Sequence, residues 1–352
     1  NPPQPQKRST ILGPPCTNGT FPDYEIPGVH TSFVKCRRIG NSPCVERDRI
    51  MIENAQQIGT AVASPTKDFF VRMLTRDIEL QDALLDLLDN CVDGIIRSGT
   101  VKLDDPTPYA GFKAILTMDA AHFTMEDNCG GIPIEVAKKY AFAMGRPPIP
   151  ADGSRGATVG MYGIGMKRAI FKLGTEALVE SRHDTGFVVE FTPAWIRDDR
   201  WDELPMYELA DNKLTDKGTR IEIYHLNDEV KSCFVDSSWI DEFRRTIARH
   251  YSLIIAKGFS VTVGSPQEIA ANIPAIAAEE FKLIQTAADP QGDVRIAPYV
   301  YVGKLGDVDV EIFAGLYREL LTEDEAEEEE ETRGTSDDAG WTVACNDRVV
   351  IW

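Results

Sequence analysis

The sequence predicts a mixed α/β fold, an antiparallel-rich sheet with helices packed on one face. Three observations predict it. Residues Leu80, Leu84, Leu87, Leu88, Val92, Ile95 and Ile96 recur at spacings of three and four, the apolar face of an amphipathic helix over Leu80–Ser98. Several short segments alternate apolar and polar residues, among them 111–118, 122–126, 186–191 and 218–224. Glycine-rich stretches at Gly130-Gly131 and over 145–165 separate these strands from the next helical patterns.

Taken in order, residues 1–50 carry eight of the 21 prolines, no helical or strand period, and more basic than acidic residues. They read as an extended arm or leader. A short helix is expected over 66–74, ahead of Leu80–Ser98. On that second helix Asp86, Asn90 and Asp93 stand at i, i+4 and i+7, so they share one side. Alone this is a solvated acidic face. It is also a sparse oxygen-ligand set of the kind that holds a hydrated Mg²⁺, which keeps several of its waters.

The strands 111–118 and 122–126 pair about Asp119-Ala120-Ala121, and the second runs into Asp127-Asn128-Cys129-Gly130-Gly131. An aspartate at a strand end, followed by glycines, fixes a carboxylate where backbone can approach a flat ligand. Such a carboxylate accepts a hydrogen bond from an exocyclic amine; by itself the stretch is an ordinary turn. A helix over 134–144 follows, then the loop 145–165. Its end, Gly160-Met-Tyr-Gly163-Ile-Gly165-Met-Lys167, opens a helix running to Leu173. Glycines before a helix N-terminus present free N–H groups to an anion, but the spacing matches neither the Walker loop nor the dinucleotide fingerprint. A lid-like loop is expected. Strands over 176–181, 186–191 and 218–224 complete the sheet. From Trp239 the pattern restarts with a helix over 239–256, and strands follow over 259–263, 296–302, 308–316 and 341–351. The domain boundary is therefore expected at 235/236. Within the second part, 323–331 holds eight carboxylates in nine residues, a disordered acidic loop over 322–339.

Composition narrows the function classes. At 352 residues with 43% hydrophobic content, two ordinary globular domains are expected. The net charge of −19 argues against a broad grip on nucleic acid. No apolar run approaches membrane-spanning length. Seven scattered cysteines without a C-x-x-C favour reduced thiols in a cytoplasm over disulfides or a zinc site, and the five histidines show no metal-ligand spacing.

Four stretches in fixed order, Asp86/Asn90/Asp93, Asp127…Gly131, Gly160…Lys167 and Gly218-Thr219, resemble the Bergerat-type ATP-binding fold of the GHKL superfamily (gyrase, heat-shock chaperones, histidine kinases, MutL). The resemblance covers about 66–226, and Tyr-Gly-x-Gly-x-Lys looks most like the MORC and MutL branch, which carries a transducer-like second domain. It implies an ATP-binding domain over 51–235 and a second, incomplete α/β domain over 236–352. By the same resemblance Asn90 would coordinate Mg²⁺, Asp127 would bind the adenine amine with Thr219 in support, and Asp93 and Gly131 would border that pocket. Gly160, Gly163 and Gly165 would offer amides to the phosphates with Lys167 beside them, and Asp86 would orient the attacking water. Phosphoryl transfer is mostly positioning and charge stabilisation, so this sparse set suffices chemically.

Two departures stand out. Asp86 is one methylene shorter than the family's glutamate, which implies slow hydrolysis. Cys129 replaces the first glycine of Asp-x-Gly-x-Gly. The expected function is an Mg²⁺-dependent ATPase switch that forms a homodimer with ATP and drives a protein partner or DNA transaction through regions outside this chain. A nucleotide-binding module without turnover is the alternative. The final segment, with Asn346-Asp347-Arg348, resembles the Asn-Gly-Arg strand of MutL-type transducers. The lysine that reaches the γ-phosphate lies past that strand in the family, so a longer protein is expected.

Overall fold

A computed structural model of the chain describes residues 66–99, 101, 105–143, 164–198, 204–210, 214, 216–279, 283, 297–306, 308–316 and 340–351. The chain divides into Asn1–Val62 and Ala63–Trp352, and every described residue belongs to the second unit. The arm 1–50 and the acidic loop 322–339 lie outside the described residues.

Helix α1 (Lys67–Arg76) starts where Thr66 caps it, its hydroxyl accepting from the Phe69 amide at 3.3 Å. Helix α2 (Leu80–Ser98) has the bounds its apolar period predicts, and it ends where Gly99 takes the left-handed conformation, φ 65°. Leu84, Leu87, Leu88, Val92 and Ile95 are fully buried. Each such side chain contributes on the order of 1.5–3 kcal/mol of burial.

Strands β1 (Lys113–Met118) and β2 (His122–Asp127) form the expected antiparallel pair. The helix expected over 134–144 is shorter: α3 (Ile134–Val136) passes into a π-helical turn over Ala137–Ala141. Then come α4 (Gly165–Leu173), β3 (Gly174–Arg182), β4 (Gly186–Phe191), α5 (Pro193–Arg197), β5 (Met206–Glu208) and β6 (Gly218–Leu226). After α6 (Asp228–Val235), the single helix expected over 239–256 is two, α7 (Ser237–His250) and α8 (Ser252–Ala256), separated at Tyr251. Strand β7 (Ser260–Gly264) and α9 (Pro266–Ala270) follow.

Seven strands make one sheet in the order β5-β4-β3-β6-β2-β1-β7, antiparallel throughout except for β1 against β7. The fold is thus mixed α/β, as the alternation and helical periods predict. One face supplies Leu116, Phe123, Val179, Val189, Ile223 and Val261 to a core shared with α2, α4 and α7. The opposite face carries polar residues such as Thr124, Glu126 and Arg220. Residues 237–264, expected beyond a boundary at 235/236, belong to this same sheet and core. Their patterning restarts because a helix and a parallel edge strand are added to a sheet already built. No helix among the described residues is long and apolar enough to cross a membrane.

Two small sheets follow. Among the described residues, strands β8 (Tyr299–Leu305) and β9 (Val308–Ala314) pair only with each other. The segment 341–351, expected as one strand, is a hairpin, β10 (Val343–Cys345) and β11 (Arg348–Ile351). Asn346 and Asp347 both have positive φ, 50° and 64°, the signature of a two-residue type I′ turn. The hairpin docks through charges. Arg348 Nε donates to Asp89 Oδ1 of α2 at 2.8 Å, and its guanidinium lies over the Tyr251 ring. Tyr251 also hydrogen-bonds Asp89, while Lys257 and Tyr109 hold Asp347 at 2.6 and 3.0 Å.

Candidate functional site

Antiparallel register sets the floor of the site. Asp127, the last residue of β2, stands opposite Thr219 of β6, and Thr219 stands opposite Ser181 of β3. The hydroxyls of Ser181 and Thr219 lie 3.0 Å apart. The Ile132 amide, one residue past the glycine turn, donates to Ser181 Oγ at 2.8 Å. Ser181 carries no motif in the sequence. Only its register, two strands away from Asp127, would have signalled it.

Three glycines let the backbones close around this row. A Cβ at Gly218 would stand 1.9 Å from the Asp127 carbonyl oxygen, and one at Gly131 would stand 2.1 Å from that of Arg182. Gly131 also has φ 66°, a conformation that costs a side-chain-bearing residue strain. At Gly94 of α2 a Cβ would stand 2.5 Å from the Cys129 carbonyl oxygen, so the helix packs directly on the turn that follows Asp127.

Burial pushes the Asp127 carboxyl up to about 6, while amides of Cys129 and Thr219 and the thiols of Cys91 and Cys129 hydrogen-bond it and pull the other way. The Cys129 amide donates to Asp127 Oδ1 at 2.7 Å. Cys91, Asp127 and Cys129 place their ligand-type atoms within 4.8 Å of one another. The absence of a C-x-x-C gave no hint of this grouping, because Cys91 lies on α2 and Cys129 in the turn, and only the fold joins them.

Along α2, Asp86 is half-buried, Asn90 exposed and Asp93 buried. The face is graded in depth rather than uniformly solvated. Asn90 Nδ2 donates to the Asp86 carbonyl at 2.8 Å, which leaves its carboxamide oxygen as the atom that could ligate a cation. Asp86 faces the start of α4: a Cβ at Gly165 would stand 3.2 Å from the Asp86 Cβ and Cγ. Its carboxylate accepts from Arg168 Nε and Nη2 at 3.1 and 2.5 Å. Burial raises the Asp86 carboxyl, and the guanidinium opposes that rise.

Lys167, expected beside the phosphates, is buried, and its ammonium donates to the Ala141 carbonyl at 2.9 Å. Successive helical residues point about 100° apart, and it is Arg168 rather than Lys167 that faces Asp86. Gly160 and Gly163 lie outside the described residues. A separate cavity of about 320 Å³, lined by Ile115, Thr117, Thr124, Glu126 and Arg220, lies on the opposite sheet face and involves none of the expected site residues.

The arrangement brings together one half-buried carboxyl with hydroxyl neighbours, backbone stripped of side chains, and a second half-buried carboxylate facing a helix start. No protein-family model matches the sequence, and comparison with curated proteins finds no match.

Proposed function

We propose that this chain binds ATP with Mg²⁺ and hydrolyses it slowly, acting as a switch whose nucleotide state governs homodimerisation and a partner or DNA transaction. The carrying observation is the Asp127–Thr219–Ser181 row, set against backbone that Gly131 and Gly218 keep free of side chains. A half-buried carboxylate beside hydroxyls suits an amine-bearing heterocycle such as adenine, which needs an acceptor at its edge and close backbone at its face.

In this reading Asp127 accepts from the exocyclic amine, with Thr219 and Ser181 fixing the edge of the ring. Asn90, exposed and with its Nδ2 committed to the Asp86 carbonyl, offers its carboxamide oxygen, which fits the hard-oxygen preference of Mg²⁺. Bound Mg²⁺ would supply charge neutralisation at the phosphates. Asp86 orients the attacking water and accepts its proton, once it is freed from Arg168. Arg168 is then the cation left at the start of α4. Until that release, the Asp86–Arg168 pair favours a second reading, a nucleotide-binding module with little turnover.

Hydrolysis measured beside affinity separates the two. Asp86→Ala should keep ATP affinity within a few-fold and abolish hydrolysis, while Asn90→Ala should lose Mg²⁺-dependent binding. Wild-type turnover in Asp86→Ala would remove Asp86 from the chemistry. A wild-type chain that binds ATP without measurable turnover would select the second reading.

A further inference from the structure

Beneath the Asp127 carboxyl lie two thiols that the proposed ATP chemistry does not use. Cys91 and Cys129 are 2% and 1% exposed, and neither is in a disulfide. Their sulfur atoms and an Asp127 oxygen lie within 4.8 Å of one another. Elements of fixed position carry all three. Cys91 is mid-helix in α2, Asp127 ends a central strand, and the direct packing of Gly94 on the Cys129 carbonyl clamps helix to turn.

Tetrahedral zinc, with bonds of about 2.3 Å to sulfur and 2.0–2.2 Å to oxygen, sets its ligand atoms roughly 3.3–3.8 Å apart. Separations within 4.8 Å need close by no more than about 1–1.5 Å to meet that geometry. Two sulfurs and one oxygen form a soft, borderline donor set that suits zinc-class ions over Mg²⁺ or Ca²⁺. One Asp127 oxygen already accepts from the Cys129 amide, which orients the carboxylate as a supporting hydrogen bond does for a metal ligand.

We propose that Cys91, Asp127 and Cys129 form a binding site for one thiophilic divalent cation of the zinc class, and that this cation and adenine nucleotide exclude one another. The second half rests on the ATP reading, because a carboxylate bound to a cation no longer accepts from an adenine amine. Binding forms two metal–sulfur bonds and one metal–oxygen bond. The two thiol protons leave to solvent, and a water takes the fourth position. Two thiolates and a carboxylate against a divalent ion leave one net negative charge, which the Cys129 and Thr219 amides face.

The test uses the full chain in a phosphine reductant, titrated with Cd²⁺ and then competed with Zn²⁺. A sulfur-to-cadmium charge-transfer band should saturate at one equivalent. Cys91→Ser and Cys129→Ser should each abolish it, and Asp127→Asn should weaken binding at least tenfold. Serine at Cys16, Cys36 and Cys44 together, or at Cys233 and Cys345, should leave it intact. In the wild-type chain added Zn²⁺ should displace Cd²⁺ and abolish the band, a readout that needs no variant. No saturable band, or a band that survives the Cys91/Cys129 double variant, overturns the site. Fluorescent ATP is then titrated with Mg²⁺ in a zinc-selective chelator and again with Mg²⁺ and Zn²⁺ loaded. At least tenfold weaker binding with Zn²⁺ supports exclusion, and equal binding overturns it. A chain that shows the cadmium band but binds no ATP with Mg²⁺ in the zinc-selective chelator overturns the nucleotide reading and leaves the cation site standing.

Discussion

Asp127 carries the most consequence of any single residue in the site, because its environment disfavours the charge it needs to hold an amine. Burial raises its carboxyl to about 6, against an ordinary value of 3.8. The neutral form is therefore favoured in the fold. Below pH 4 the folded and unfolded chains both carry it protonated, and no penalty applies. As pH rises from about 4 through 6 the unfolded chain releases that proton first, and stability falls by roughly 3 kcal/mol at most. Asp127→Asn should remove this component: the variant should gain stability relative to wild type at pH 7 and match it near pH 4, measured by urea unfolding at both values. An equal difference at the two pH values would mean that Asp127 is not the titrating group. The identity of this residue was readable from Asp-x-x-Gly-Gly after a strand. Its burial, and its thiol neighbours, were not, since both depend on α2 meeting the turn.

Among the elements, α2 is the one from which the site is built. Its limits were legible because seven apolar residues keep one period and Gly99 ends it. The depth of its polar face was not legible, since Asp86, Asn90 and Asp93 share a spacing yet differ in burial through what packs over them. The same blindness applies to Lys167 and Arg168. Two adjacent cations opening a helix are equivalent in sequence, and the packing of α4 on α2 and on the turn near Ala141 decides which one faces Asp86. Gly94 gives this packing a test with an unusual sign. Alanine in a helix interior is ordinarily worth about 1 kcal/mol over glycine. Here the added Cβ would meet the Cys129 carbonyl at 2.5 Å, backbone that cannot turn away as a side chain would. Gly94→Ala should therefore destabilise the chain by roughly 1–3 kcal/mol through overpacking. A shift of the urea midpoint to lower concentration checks it, and a shift to higher concentration would show that helix and turn are not in close contact.

At the scale of the whole molecule, the C-terminal hairpin is tied to α2 one turn from the site. Arg348 and Asp89 are nearly buried, with side-chain exposures of 9% and 17%, and Tyr251 completes the cluster. Removing one partner of such a pair leaves an uncompensated charge, at about 3–5 kcal/mol. Arg348→Ala should cost about that much in urea unfolding, whereas Arg348→Ala combined with Asp89→Asn should recover part of it. Full additivity of the two losses would mean that the residues do not interact. Alternation over 341–351 marked β-structure, but it hid the turn, because Asn346-Asp347 lacks the glycine that usually announces a type I′ hairpin. The sheet order was likewise invisible: β7 joins β1 in parallel across more than a hundred residues, a pairing that no local pattern encodes.

The floor built from Asp127, Thr219 and Ser181 is the proposed adenine site. The most direct measurement is titration of the full chain and of Asp127→Ala with fluorescent ATP, with and without Mg²⁺, at pH 7.5 in reduced buffer with a zinc-selective chelator. An adenine site there should give saturable, Mg²⁺-strengthened binding by the wild type, and an affinity about ten- to a hundred-fold lower in the variant, the worth of one charge-assisted hydrogen bond. Unchanged affinity in Asp127→Ala, or no binding by a folded wild-type chain, would contradict it.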